Sequence, residues 1–209
     1  MRIALPVLSA CLLVTVVPAW TNGGGGMSTP TPMPSVQTPR DRARDAYNAG
    51  THEVKQADKA QGSAAQDLYA SALGKFKQAV TQDPALQEAW NYVGYTSRKL
   101  GNYDDALAAY DKALSLKPGY PDAIEYRGEA YLGVNRIPDA QQAYLDLYAG
   151  NRALAAKLLV AMKSWLAAQR ANPSGGTSLD DFDKWIQERA QIAGQTAALT
   201  REGTAASWR

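Results

Sequence analysis

The 209-residue chain has one cysteine, one histidine and two phenylalanines, and its net charge is only +2. A single cysteine excludes an intramolecular disulfide framework. One cysteine with one histidine excludes a Cys/His zinc site, and any histidine-based catalytic triad would have to rest on His52 alone. Near-neutral charge gives no electrostatic footprint for nucleic acid or an anionic membrane. What is present is alanine, about 37 residues. Alanine is the strongest helix former, so the composition predicts packed helices, and the length suffices for one domain with a real core.

The amino terminus reads as an address. Arg2 supplies a short positive segment, and an apolar run of about 15 residues extends from Ile3 to Val17. That is short of the ~20 residues needed to span a bilayer. Val17-Pro18-Ala19 places small residues at a cleavage site, so residues 1–19 are expected to be a secretory signal peptide and the protein to be exported, periplasmic or secreted. Leu8-Ser9-Ala10-Cys11 resembles a lipobox, which would lipidate Cys11 and make an outer-membrane lipoprotein, but the apolar run continues past Cys11. Cleavage after Ala19 would leave a mature chain with no cysteine and no expected transmembrane helix. Residues 20–40, with Gly23 to Gly26 followed by Pro30, Pro32, Pro34 and Pro39, cannot build a core and are expected to form a disordered tether.

Offsetting the sequence by 34 residues exposes a repeat. Ala89 falls on Ala123, Tyr92 on Tyr126, Gly94 on Gly128, Ala106 on Ala140 and Tyr110 on Tyr144. One step earlier, Ala72, Phe76, Ala79 and Pro84 fall on Ala106, Tyr110, Ala113 and Pro118. The period and the residues Trp90, Val93, Gly94, Ala106, Tyr110, Ala113 and Pro118 resemble the tetratricopeptide repeat family, whose pattern is Trp-x2-Leu-Gly-x2-Tyr, then Ala-x3-Phe, Ala and Pro. Residues 121–154 fit less closely, through Ile124, Gly128, Tyr131, Ala140 and Tyr144, with Arg127 where leucine is usual and no closing proline. Of an earlier copy only the second helix is clear, its first helix being expected within 41–60 with an insertion near Gly62.

The resemblance implies an all-α fold, a short right-handed solenoid of about three helix hairpins over residues 41–171. Gly94 and Gly128 are expected where paired helices cross closely, with Ala106 and Ala140 as their small partners. Trp90, Tyr110 and Tyr144 are expected to fill the space between hairpins. Pro84 and Pro118 would end helices, Leu100-Gly101-Asn102 would be a helix stop followed by an N-cap, and Pro138 suits a first helical turn. Leu154, Leu158, Leu159, Met162, Trp165 and Leu166 share one helical face and are expected to close the array as a capping helix ending at Asn172-Pro173. Residues 172–209 should hold a further amphipathic helix and tail, opened by a Ser178–Asp181 capping box, with Leu179, Phe182, Trp185, Ile186 and Ile192 as its apolar stripe.

No phosphate loop, nucleophile elbow, cofactor motif or metal cluster is legible, and His52 sits among polar residues of a helix; a non-catalytic protein is expected. Asp104/Asp105 and Asp180/Asp181 stand at helix starts, where they offset the helix dipole. In the family, the groove formed by the first helices binds peptides. The resemblance places Glu88, Asn91, Tyr95 and Arg98 there, followed by Asp122, Glu125, Glu129 and Leu132. It implies that Asn91 bonds a peptide backbone, Tyr95 packs on side chains, Arg98 takes a carboxylate, and Glu125 and Glu129 favour basic groups. An alternative is that Arg98 and Lys99 pair with Glu125 or Glu129 across helices. Asp122 stands where a basic clamp for a terminal carboxylate would need a cation, which disfavours chaperone tails. The leading expectation is an exported scaffold for a protein or peptide partner. The others are a lipid-anchored assembly factor and a carbohydrate or peptidoglycan binder using Tyr95, Trp185 and Trp208.

Overall fold

The structure is a computed structural model that describes residues 37–171 and 179–206, with side chains as far as residue 199. The expected signal peptide, Cys11, almost all of the tether, Ser178, Asn172-Pro173 and Trp208 lie outside the described residues. Within them there are eight helices and no strand: α1 (Pro39–Ala57), α2 (Gly62–Gln82), α3 (Gln87–Lys99), α4 (Tyr103–Leu116), α5 (Pro121–Gly133), α6 (Ile137–Gly150), α7 (Arg152–Ala171) and α8 (Leu179–Ala206). None of them is long and apolar enough to cross a membrane. The first three pairs form hairpins, each packed on the next. α5 and α6 receive α7, and α8 returns along α7.

The helix ends follow from named residues. α1 begins at Pro39, inside the segment expected to be tether, because Thr38 and Asp41 form a reciprocal capping box. Gly101, at φ 81°, closes α3. Its amide bonds to the Arg98 carbonyl at 3.0 Å and the Asn102 amide to that of Ser97 at 2.9 Å, the paired bonds of a Schellman cap. Thirty-four residues on, Asn135 at φ 59° makes the same cap for α5. Asn102 therefore closes the preceding helix through its amide; its side chain does not cap α4 as expected. Asp83 and Lys117 are both extended, at φ −136°, as a residue before proline must be. Asn151 repeats that geometry without a proline at the end of α6.

The repeated small residues are explained by rings rather than by the close backbone crossing expected. A methyl group at Gly94 would sit 2.5 Å from Cε1 of Tyr110, and one at Gly50 would sit 2.7 Å from the Phe76 ring. Each glycine opens the slot that receives the aromatic of its own hairpin. Gly128 departs from this: its slot is taken by Leu158 of α7, 2.7 Å from such a methyl, and by Ala143. Tyr144 turns instead toward α8, edge-on to Trp185 with ring centres 5.3 Å apart. Ala106 and Tyr110 share a buried cluster with Ala130 of the next hairpin. Ala140 lies in the cluster that α7 and α8 complete with Leu158, Met162, Leu166, Phe182 and Ile186. Trp90 is half-buried, and its indole N–H donates to the Pro84 carbonyl at 2.9 Å, which ties down the preceding loop. Ile192, expected in the apolar stripe of α8, is exposed.

The first hairpin is larger than the others, with helices of 19 and 21 residues against 13 and 14 in the second. Within α2, Gly74 has open space where a side chain would go. Gly74→Ala should therefore stabilise the fold by about 0.5–1 kcal/mol by restricting the unfolded chain, read as a higher urea midpoint with an unchanged slope.

Candidate functional site: the face of the first helices

α1, α3 and α5 place tyrosines on a common face. The ring of Tyr92 stacks on Phe76 at 4.9 Å and meets Tyr47 at 5.7 Å and Tyr95 at 6.1 Å. Tyr95 in turn meets Tyr126 at 5.0 Å. Tyr47, Tyr92, Tyr95 and Tyr126 are each half-buried, and the row runs unbroken over three helices. The Tyr95 hydroxyl donates to Asp58 Oδ1 at 2.8 Å, beside Tyr69, which donates to the same oxygen at 2.6 Å. Burial, and then the bond to that carboxylate, pushes the Tyr95 hydroxyl far above its ordinary value, so it stays a donor.

Two ion pairs lie on this face. Arg98 Nη1 lies 2.6 Å from Glu129 Oε2. Lys157 Nζ, from α7, lies 3.1 Å from Glu125 Oε2. The Tyr126 ring is flanked by both cations, with the Arg98 guanidinium at 5.9 Å and the Lys157 ammonium at 4.8 Å. The Glu125 side chain is 0% exposed. Burial, followed by the hydrogen bond and charge of Glu129 one turn on, raises its carboxyl to about 7 against the opposing pull of Lys157.

The structure thus gathers Tyr95, Arg98, Glu125 and Glu129 of the expected groove residues into one cluster. It buries three of the expected groove residues: Asn91, Glu125 and Leu132 present almost no surface to a ligand. Asn91 Oδ1 has no protein hydrogen-bond partner, and Arg98 is engaged by Glu129 rather than left open for a partner's carboxylate. His52 is exposed on α1, its ring nitrogen 2.7 Å from Gln56 Nε2. Among the described residues no His, Cys, Asp and Glu cluster could hold a metal ion.

Tyr47, Tyr92, Tyr126 and Lys157 are the members that sequence reasoning missed. Tyr92 and Tyr126 were visible as repeat matches but not as a face. Tyr47 stands three residues before Gly50, as Asn91 and Glu125 stand before Gly94 and Gly128. Gly50 was the signal, masked by the longer first hairpin.

The tetratricopeptide repeat pattern matches residues 88–120, which span α3, α4 and the Pro118 turn. This chain carries a tetratricopeptide-repeat domain. The domain is 35% identical over 128 residues to the Hsp70-Hsp90 organizing protein of Triticum aestivum, a match covering 56% of this chain and 21% of that one. The chain therefore spans about a fifth of that relative's length. Among solved structures it resembles the Arabidopsis OM64 tetratricopeptide-repeat domain, with a TM-score of 0.51 at 16% identity over 61% of this chain and 96% of the other. The first such domain of Spaghetti (RPAP3), solved with an HSP90 peptide, scores 0.51 at 17% identity over 62% and 98%. The second domain of human RPAP3, solved with an HSP70 peptide, scores 0.50 at 20% identity over 60% and 98%. At these identities the solved structures establish the shared helical-repeat fold.

Proposed function

We propose that this tetratricopeptide-repeat domain is an exported, non-catalytic interaction module that holds an extended polypeptide segment on its row of tyrosines. The observation that carries the proposal is the unbroken sequence Tyr47–Tyr92–Tyr95–Tyr126. Half-buried tyrosines supply wide contact area and hydroxyl donors at small entropic cost, which suits recognition of a chain. Because Arg98 and Lys157 are already neutralised, recognition rests on stacking and backbone hydrogen bonds, and affinity should change little with salt.

This chemistry separates the domain from the solved structures it resembles. The two RPAP3 structures hold the peptides SRMEEVD and SGPTIEEVD. Here Glu88 and Asp122 lie near Tyr47 and Tyr120 and contribute negative charge to that end of the face. A peptide ending in EEVD is expected to bind no better than its scrambled form, whereas a library of uncharged extended peptides should yield binders measurable by fluorescence anisotropy. Tyr95→Ala and Tyr126→Ala should each weaken those binders about 30-fold, equivalent to ~2 kcal/mol at an interface anchor. Equal binding by both variants and the parent, with unchanged circular dichroism, would remove the tyrosine row from recognition. For export, the expected mature chain begins at Trp20, and its intact mass decides between that cleavage and a lipid adduct on Cys11.

A further inference from the structure

A second candidate site lies away from the tyrosine row, between α6, α7 and α8. These helices border an open cavity of about 400 Å³, within the range of small-molecule pockets. The rings of Tyr144 and Tyr148, stacked with centres 5.7 Å apart, form one wall, and Leu159 and Val160 of α7 form another. α8 supplies only Ala190, Ala193, Thr196 and Ala197, and Ala156 faces them from α7. The space exists because no side chain longer than threonine reaches in from α8. The cavity is open to solvent: Ala156, Val160 and Ala197 are exposed, whereas Tyr144 and Leu159 are buried.

The polar groups of the cavity are few and gathered. Tyr148 Oη and Thr196 Oγ1 are 3.1 Å apart. The Arg152 guanidinium lies 5.4 Å from the centre of the Tyr148 ring. Arg152 makes no ion pair among the described residues, whereas Arg98, Arg127, Arg136 and Arg170 each have a carboxylate. Val160, 62% exposed, marks the opening. Apolar walls, an open side and one uncommitted guanidinium define the complement of an amphiphile with an apolar chain and an anionic head.

We infer that the α6–α7–α8 cavity binds a single acyl chain carrying a carboxylate, with the chain against Tyr144, Leu159 and Ala193 and the carboxylate on Arg152. Arg152 offers the planar fork that a carboxylate takes in two bonds. The inference is independent of peptide binding on the tyrosine row.

The test uses the full mature chain titrated calorimetrically with dodecanoate, kept below its micelle concentration, and in parallel with uncharged dodecanol. Saturable binding of one dodecanoate per chain is expected. Arg152→Gln should weaken dodecanoate about tenfold and leave dodecanol unchanged, and Ala193→Phe, which fills the cavity, should abolish both. Retained folding of Ala193→Phe is checked by its helical circular dichroism and by peptide binding at the tyrosine row. Should that variant fail to fold, Val160→Trp at the opening serves the same purpose. No saturable binding, or binding indifferent to the cavity-filling and opening variants, overturns the inference. Equal weakening of acid and alcohol by Arg152→Gln overturns the assignment of the carboxylate.

Discussion

Tyr110→Ala is expected to lower the unfolding free energy by about 3–5 kcal/mol, the range for truncating a fully buried aromatic. The ring is 0% exposed. It fills the slot over Gly94 and shares its cluster with Ala106 and with Ala130 of the next hairpin. The loss thus falls both within the second hairpin and on its junction with the third. In a repeat array, stability is approximately a sum of unit and junction contributions, so damage at the central hairpin removes the coupling that holds the ends together. Urea unfolding followed by circular dichroism should show a lower midpoint and a broader transition. The companion variant makes the argument specific. Gly94→Ala alone should cost about 1–3 kcal/mol through overpacking, because its methyl would meet the Tyr110 ring. In the Tyr110→Ala background the same methyl enters vacated space and should be neutral or stabilising. Additive effects of the two substitutions would refute the ring-in-slot account of the repeat glycines.

The second large effect is on the pH dependence of stability. The Glu125 carboxyl is raised from its ordinary 4.5 to about 7, first by burial and then by Glu129, with Lys157 opposing. Between those two values the folded chain holds a proton that the unfolded chain has released. The Glu125 contribution to stability is therefore full below about pH 4.5, falls as pH rises through the window, and is lost above about 7, a change on the order of 3 kcal/mol. Asp41, Asp139 and Asp183 are held below their ordinary 3.8 by hydrogen bonds with Thr38, Arg136 and Gln187 respectively. They act with the opposite sign, only as pH falls below that value, so the two windows do not overlap. Urea midpoints at about pH 5 and about pH 8 should differ accordingly. Glu125→Gln should flatten the profile. Lys157→Met should steepen it by removing the ammonium whose hydrogen bond and charge oppose protonation of the buried carboxyl. An unchanged profile in Glu125→Gln would place the titrating group elsewhere.

The repeat itself was legible because it depends on side-chain volume at fixed spacing. Ala72, Ala106 and Ala140, like Phe76, Tyr110 and Tyr144, are all buried where the period placed them. The capping helix was legible for the same reason, since Leu158, Leu159, Met162 and Leu166 lie on one stripe and all are buried. What escaped depended on contacts that the period does not encode. The slot at Gly128 looks identical to that at Gly94 in sequence, yet Leu158 from outside the repeat takes it. Gly50 and Tyr47 were hidden because the first hairpin is longer and shifts their register. Of the groove charges, the pairing of Arg98 with Glu129 across α3 and α5 follows the alternative read from the sequence, but Glu125 is paired by Lys157 of α7 rather than by Arg98 or Lys99. Lys157 had no position in any repeat, so no pattern could have joined it to Glu125.

The closure of the array by α7 and α8 has a consequence for partner length. Four helices, α1, α3, α5 and α7, can line the recognition face. They are separated by three steps of ~8–10 Å, so the track is ~24–30 Å long. An extended chain advances ~3.3 Å per residue, which gives a footprint of about eight residues. Helix α8 packs on α7 and reaches α6, where Trp185 meets Tyr144 and Thr196 meets Tyr148. For the proposed peptide recognition, a footprint of this length limits discrimination among partners to a short linear stretch, which a folded partner would offer as a loop or a tail.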